Sequence, residues 1–147
     1  MKKYLKIVLL LLWCLLIFSF SAQGADESSN TTNIVVELLY GIYAFIFRNH
    51  ISLETFNNLI FGPIRKIAHF SEYMVLGIIA YLHVKDYRKD KTYILPIIFS
   101  CLYATSDELH QYFVPGRACT LKDICIDSCG AILGILLMHK ISKRCKK

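Results

Sequence analysis

The sequence predicts an all-α integral membrane protein, a bundle of four transmembrane helices with an amphipathic segment on its outer surface. Hydrophobic residues make up 55% of the 147 residues, which is ordinary for a small multi-span membrane protein and high for a soluble domain. Four apolar runs approach the roughly 20 residues that a helix needs to cross about 30 Å of hydrocarbon. They cover residues 4–20, 67–84, 93–113 and 121–138. Helices are expected because backbone groups in lipid must be paired within the segment and no β-barrel alternation is visible.

The distribution of basic residues predicts the orientation of the chain. Twelve of the seventeen lysines and arginines lie before the first run, between the second and third runs, or after the fourth. By the positive-inside rule these segments are cytoplasmic, so both termini are expected to face the cytoplasm of a bacterial cell. This asymmetry explains the net charge of +6, and nucleic acid is not an expected partner because the basic residues form no single stripe.

The first run has a second interpretation. Its basic start, its apolar core and the small residues Ser19 and Ala22 also fit a cleavable signal peptide, which would leave three spans. The six cysteines include no pair with CxxC spacing, and we expect them to be free thiols.

The segment between the first two runs is predicted to lie outside the membrane. Residues 22–33 are small and polar and are expected to form a loop. Residues 34–47 are apolar at helical spacing and predict an amphipathic helix on the outer surface, with a fifth buried span as the alternative. A second short helix is expected to begin at the N-cap Ser52 and to end where Gly62 and Pro63 interrupt it.

Polar and ionisable residues are concentrated at one end of each of the last three runs. The predicted topology places all of them at the outer face. An ionisable group beside hydrocarbon is energetically expensive, so a ring of such groups at one level predicts a functional site. Its members are His69, Glu72, Asp107, Glu108, Gln111, Arg117, Asp123 and Asp127.

The second run places His69, Glu72 and Tyr73 on one helix face, because residues three and four apart are neighbours. An imidazole and a carboxylate at this spacing can be two metal ligands, or the carboxylate can orient the imidazole. His69, Glu72 and Glu108 are therefore candidate ligands of a divalent metal. A buried hydrogen-bonded pair that joins two helices is the alternative.

The third run ends in a polar segment. Asp107 and Gln111 share a face, and Glu108 lies one turn from Gln111. Adjacent carboxylates raise each other's cost of ionisation, so a nearby cation or a shared proton is expected, with a helix end solvated by headgroup water as the alternative. His110 is predicted to point elsewhere.

A tight Pro-Gly turn follows and is predicted to return Arg117 over the helix ends. The planar guanidinium suits a carboxylate of this protein or the phosphate of a lipid or lipid-linked substrate. Snorkelling towards the headgroups is the alternative role for this side chain.

The fourth run begins with Asp123 and Asp127, four residues apart and facing the same way. The dipole of the helix N-terminus offsets part of the cost of these charges, mainly for Asp123. Gly130 and Gly134 form a GxxxG pattern on the same side, which predicts close approach of another helix and a carboxylate directed into the bundle.

Together these motifs resemble the VanZ-like family of small bacterial membrane proteins. The family pattern R-K-x-x-H-F-x-E-Y-x-x-L-G stands at 65–77, D-E-x-x-Q-x-F-x-P-x-R at 107–117, and D-x-x-x-D-x-x-G at 123–130. A short Phe-Ser-x-Gln element at 20–23 is similar to the end of the family's first span and favours a retained first helix. The resemblance implies a three-helix core over 65–139 and a first helix over 1–23. Hydropathy and charge add an outer segment over 24–64, in which no motif of the family is recognisable, and a basic cytoplasmic tail over 140–147.

The resemblance also implies a biological role. The family is named after a member associated with low-level resistance to teicoplanin, a lipoglycopeptide that binds cell-wall precursors. Expected partners are thus a membrane lipid or a lipid-linked envelope precursor, with Arg65, Lys66, Arg117 and Tyr73 as candidate contacts.

Three functions follow from these expectations. The first is a protein that lowers glycopeptide action by altering or shielding an outer-leaflet envelope component. The second is a membrane hydrolase or transferase acting on a lipid phosphate or ester, with a divalent metal as its candidate cofactor. Its candidate catalytic residues are His69, Glu72, Asp107, Glu108, Gln111, Asp123 and Asp127. The third is a structural subunit of a membrane complex.

Overall fold

Five α-helices form the computed structural model, which describes residues 3–48, 51–87 and 92–144. They are α1 (Lys3–Ser21), α2 (Ala25–Phe47), α3 (Leu53–Val84), α4 (Ile94–Gln111) and α5 (Leu121–Arg144). No strand occurs within the described ranges, and the predicted all-α class is confirmed.

Four helices are long and apolar enough to cross a membrane, namely α1, α2, α3 and α5. Three of them contain predicted spans: residues 4–20 lie in α1, 67–84 in α3 and 121–138 in α5. The predicted span at 93–113 forms α4, which is not among the four because its last turns carry polar and acidic side chains. The number of such helices equals the predicted four, but the set differs from the predicted runs: it includes α2, part of which was expected on the outer surface, and leaves out α4.

Helix α2 begins much earlier than the sequence predicted. The expected loop over 22–33 is wrong, since only residues 22–24 connect α1 to α2. Two acidic residues in the first turn complement the helix dipole. The Ser29 and Thr32 hydroxyls donate to carbonyls four residues earlier, at 2.7 and 3.0 Å. Thr32 and Val36 are buried, so tertiary packing secures a segment of weak helix formers.

Helix α3 runs without interruption through Pro63, so the predicted break at Gly62 and Pro63 is wrong. A proline inside a helix removes a backbone hydrogen bond and costs about 3 kcal/mol. Packing on both sides of the proline offsets this cost: Phe56 contacts Tyr40 of α2, and the later turns pack against α1, α4 and α5. The predicted N-cap is confirmed, because Ser52 Oγ accepts from the backbone N–H of Thr55 at 3.2 Å.

Helices α3 and α5 pack closely against each other, and glycines of α5 allow this close approach. A Cβ placed on Gly130 would overlap the carbonyl oxygen of Phe70, and one on Gly134 would overlap that of Met74. Around this seam the core contains Ile17, Tyr73, Leu76, Ala104 and Ala131, all at most 2% exposed. The predicted close-approach face of α5 is confirmed.

The end of the bundle that lies away from the polar ring is held by two lysines. Lys6 of α1 donates to both carboxylate oxygens of Asp86, at 2.8 and 2.7 Å, and to the carbonyl of Leu82 at 3.1 Å. Lys85 donates to Ser142 Oγ of α5 at 2.9 Å. These contacts tie α1, α3 and α5 together at one level.

Candidate functional site

Polar side chains of α3, α4 and α5 converge at the opposite end of the bundle, where α1 ends and α2 begins. Asp107, Glu108, Gln111 and Asp127 are each at most 5% exposed. Such burial is rare for acidic residues unless they are paired. His69 of α3 lies 4.0 Å from Asp127, so the structure brings polar residues from all three of the predicted helices into one cluster.

Arg117 closes this end of the bundle. Gly116 adopts a positive φ of 74°, which allows the chain to reverse and directs the next side chain back over the helices. Arg117 Nε donates to the carbonyl of Gln23 at 3.2 Å, and the Nη groups donate to the carbonyl of Phe20 at 3.3 Å and to Gln111 Oε1 at 3.4 Å. Arg117 thus joins the end of α1 to α4, and all its acceptors are neutral.

Glu108 is held by the start of α5. Its Oε2 accepts from the backbone N–H of Thr120 at 3.0 Å. Thr120 in turn caps α5, because its Oγ1 accepts from the Asp123 N–H at 3.1 Å and donates to Asp123 Oδ2 at 2.8 Å. Thr120 was not among the predicted site residues, although the T-x-x-D spacing is a recognisable capping pattern.

Gln111 bridges the cluster to the turn. Its Nε2 donates to Asp107 Oδ2 at 3.2 Å, as the shared helix face predicted, while its Oε1 accepts from Arg117. Glu108 does not pair with Gln111 and contacts Thr120 instead. One amide side chain therefore links a buried carboxylate to a guanidinium.

His69 and Asp127 face each other across the seam between α3 and α5. His69 Nδ1 lies 4.0 Å from Asp127 Oδ1, with side-chain exposures of 22% and 0%. Neither carboxylate oxygen of Asp127 nor His69 Nδ1 has a hydrogen-bond partner in the described part of the chain. A buried carboxylate without partners is costly. His69 and Asp127 therefore lie side by side with unused hydrogen-bonding atoms, which a bound ligand could contact.

Other predicted residues lie apart from this pair. Tyr73 is fully buried in the core, and its hydroxyl lies near the Asp107 carboxylate without a well-aligned hydrogen bond to any residue described. His110 packs against Phe18, with ring centroids 4.6 Å apart and ring planes inclined by 43°. Glu72 contributes its backbone carbonyl to Trp13 Nε1 at 3.0 Å. Tyr73 is thereby part of the packing and lines neither of the cavities described next.

Two adjoining cavities open beside the cluster. The larger, of about 380 Å³, is lined by α3, the Arg117 turn and the start of α5. The smaller, of about 130 Å³, lies between α1, α2 and α3. They share Arg65, His69 and Arg117; Lys66 and Asp123 line only the larger and Glu72 only the smaller. The α2 side of the smaller cavity, formed by residues from 28 to 35, was not predicted to contribute to the site.

A metal centre is not assembled within the described ranges. No group of three or more His, Cys, Asp or Glu side chains there is placed to hold a metal ion. The predicted ligands His69, Glu72 and Glu108 therefore do not form a common set, since Glu108 turns towards Thr120.

Comparison with known proteins gives one result. A profile of the VanZ/LLP1 family matches residues 6–142, which is nearly the whole chain and includes α2, the segment with no recognisable motif. No curated protein and no solved structure gives a match. On the strength of the family profile, which extends from α1 to α5, this chain belongs to the VanZ/LLP1 family.

Proposed function

We propose that this protein lies in the bacterial cell membrane with its Arg117 end facing outward, and that it lowers the action of teicoplanin there. It does so by altering or shielding a lipid-linked component of the envelope. The observation that carries the proposal is the buried polar cluster of three helices with two cavities beside it that share Arg65, His69 and Arg117.

The positions of the charges along α3 support this orientation. Lys85, the C-cap residue of α3, follows Arg65 by 20 residues, or about 30 Å along the helix, which is the thickness of the hydrocarbon layer. Lys6, Lys85 and Lys140 all belong to the basic segments that the positive-inside rule assigns to the cytoplasm. With that end inside, the cluster and its cavities reach the outer leaflet, where a lipid-linked precursor is exposed to the antibiotic.

The proposal is tested by teicoplanin susceptibility in a host that expresses the wild type or a cluster variant. Glu108→Gln keeps the size of the side chain and removes its charge, and Arg117→Lys keeps the charge and removes the planar fork. Arg48→Lys is the matched control, because Arg48 is exposed at the end of α2 and lines neither cavity. Membrane abundance of each variant is quantified in parallel.

We expect the wild type and Arg48→Lys to protect, and Glu108→Gln and Arg117→Lys to lose protection at equal abundance. Protection that follows abundance alone would assign the cluster to a structural role, such as that of a subunit in a membrane complex. A wild type that gives no protection would refute the proposed role.

A second candidate function is hydrolysis of a lipid phosphate, and the His69–Asp127 pair favours it. His69 reaches both cavities, and the carboxylate 4.0 Å from its Nδ1 can orient the ring for general-base work. Water would then attack phosphorus, the bond to the lipid oxygen would break, and the proton would pass to the departing alcohol. Release of inorganic phosphate from phosphatidic acid in nanodiscs, lost in Asp127→Asn, is the expected result; no release by the wild type would eliminate this candidate.

A further inference from the structure

Arg65 and Arg117 converge on the same two cavities, and neither forms an ion pair with a carboxylate of the described residues. Arg65 forms no hydrogen bond or ion pair with any other described residue, and Arg117 donates only to neutral oxygens. A guanidinium presents five donors in a planar fork, so both side chains retain donors that the protein leaves unused.

The two guanidinium groups also repel each other. Burial lowers the pKa of Arg117 from its ordinary value and the charge of Arg65 adds to this effect, whereas the carboxylates of Asp107, Glu108 and Glu72 act in the opposite direction. The larger cavity is lined by three cationic side chains and one carboxylate, that of Asp123, whose Oδ2 is already engaged by Thr120. Asp107, which lies close by, is turned towards Gln111. An anion placed between the arginines would relieve the repulsion and use the free donors.

The smaller cavity has a different character. Besides the shared residues it is lined by the apolar side chains of Phe20, Val35, Ile64 and Ala68 and by the polar side chains of Glu72, Gln23, Ser28, Thr31 and Thr32. A pocket with apolar walls and a few convergent polar groups is the usual form of a small-molecule site. Here the cationic and the apolar compartments adjoin, which matches a ligand with an anionic head and a hydrocarbon chain.

We propose that the joined cavities bind a lipid phosphate, with its phosphate group between Arg65 and Arg117 and the first carbons of its chain against Val35 and Ile64. The inference rests on the proposed function and deepens it by naming the chemical class of the envelope component. The α2 helix then has a definite role, because it supplies the wall that distinguishes a lipid from free phosphate.

Native mass spectrometry of the full-length protein released from nanodiscs tests this directly. The discs contain phosphatidylcholine with a minor fraction of phosphatidic acid, and inorganic phosphate is added as competitor. Arg65→Gln is the principal variant, since Arg65 makes no bond that the fold needs. Val35→Asp tests the apolar wall, and Arg48→Gln is the control for loss of one positive charge on the same side of the molecule.

We expect the wild type to retain one phosphatidic acid in preference to phosphatidylcholine. Arg65→Gln should weaken this binding about tenfold to a hundredfold, as loss of a charge-assisted hydrogen bond does, while Arg48→Gln should not. Val35→Asp should also weaken it. Equal retention of both lipids by the wild type would overturn the proposal. Full competition by inorganic phosphate, with no effect of Val35→Asp, would overturn the lipid part and leave a site for free phosphate.

The same variants separate this inference from the biological role. If phosphatidic acid binds as expected but the wild type does not protect against teicoplanin, the lipid site stands and the proposed role fails. If Arg65→Gln abolishes lipid binding but leaves protection intact, the site is not the one through which protection acts, and the link between the two is refuted.

Discussion

The seam between α3 and α5 allows a quantitative test of the packing, by replacing Gly130 with alanine. The added Cβ would lie 3.1 Å from the carbonyl carbon of Phe70 and 3.2 Å from its Cα, and would overlap the carbonyl oxygen. Carbon atoms pack best at about 3.5–4.0 Å, so α3 must retreat by roughly 0.5 Å or more. Backbone atoms cannot rotate aside as a flexible side chain can.

Overpacking of this kind costs about 1–3 kcal/mol, and the better helix propensity of alanine returns about 1 kcal/mol. The expected net loss is therefore up to about 2 kcal/mol. It is measured as the shift in the free energy of unfolding when the protein in mild detergent is titrated with SDS and followed by circular dichroism. Gly41→Ala is the matched control, because a Cβ on Gly41 meets nothing within 4 Å.

We expect Gly41→Ala to be neutral or stabilising by up to about 1 kcal/mol. If Gly130→Ala unfolds at the same SDS fraction as Gly41→Ala, the reasoning about the seam is refuted. The substitution also reaches the polar cluster, since Asp127 lies one turn before Gly130 on the helix that must move. A wider seam would lengthen the 4.0 Å separation between His69 and Asp127.

Two further outcomes are expected. Thr120→Val removes the cap of α5 and should lower the free energy of unfolding by about 1 kcal/mol in the same titration. Thr120→Ser should restore the stability, and equal stability of the two variants would contradict the capping role. The hydrogen bond from Lys6 lowers the pKa of Asp86 from its ordinary value of 3.8, so the stabilisation is present at neutral pH and disappears as the pH falls below that value. Asp86→Asn should accordingly be less stable than the wild type at pH 7, by no more than about 1 kcal/mol because the pair is screened by solvent. In strong acid the two proteins should be equally stable, and a difference that persists there would point to another cause.

Helix content was largely predictable, because long apolar runs leave the backbone few alternatives to a helix in lipid. The start of α2 was not predictable in this way. Its serines, threonines and asparagines favour turns when considered locally, and they become helical because Thr32 and Val36 are buried against α3. Pro63 shows the same limit: a local rule predicted a break, and packing of α3 on both sides of the proline decided otherwise.

The sequence predicted where the polar cluster lies better than it predicted which of its residues form hydrogen bonds with each other. Helical spacing correctly paired Asp107 with Gln111, since both residues belong to one helix. The partner of Glu108 was missed because Thr120 belongs to the next helix, and the rotation of one helix against another is not encoded in spacing. The proposed roles of these residues in binding or catalysis stay predictions until the variants are measured.

Most helical segments, and the gathering of acidic, basic and imidazole groups at one end of the bundle, follow from the sequence alone. They do so because hydrophobic period and charge position are local properties. The packing of the helices, by contrast, makes α2 a wall of a cavity, directs Arg65 and Arg117 into the same space, and buries Asp127 beside His69 with no hydrogen-bond partner among the described residues. Those features depend on the distances and rotations between helices, which packing at Gly130 and Gly134 and the turn at Gly116 establish together.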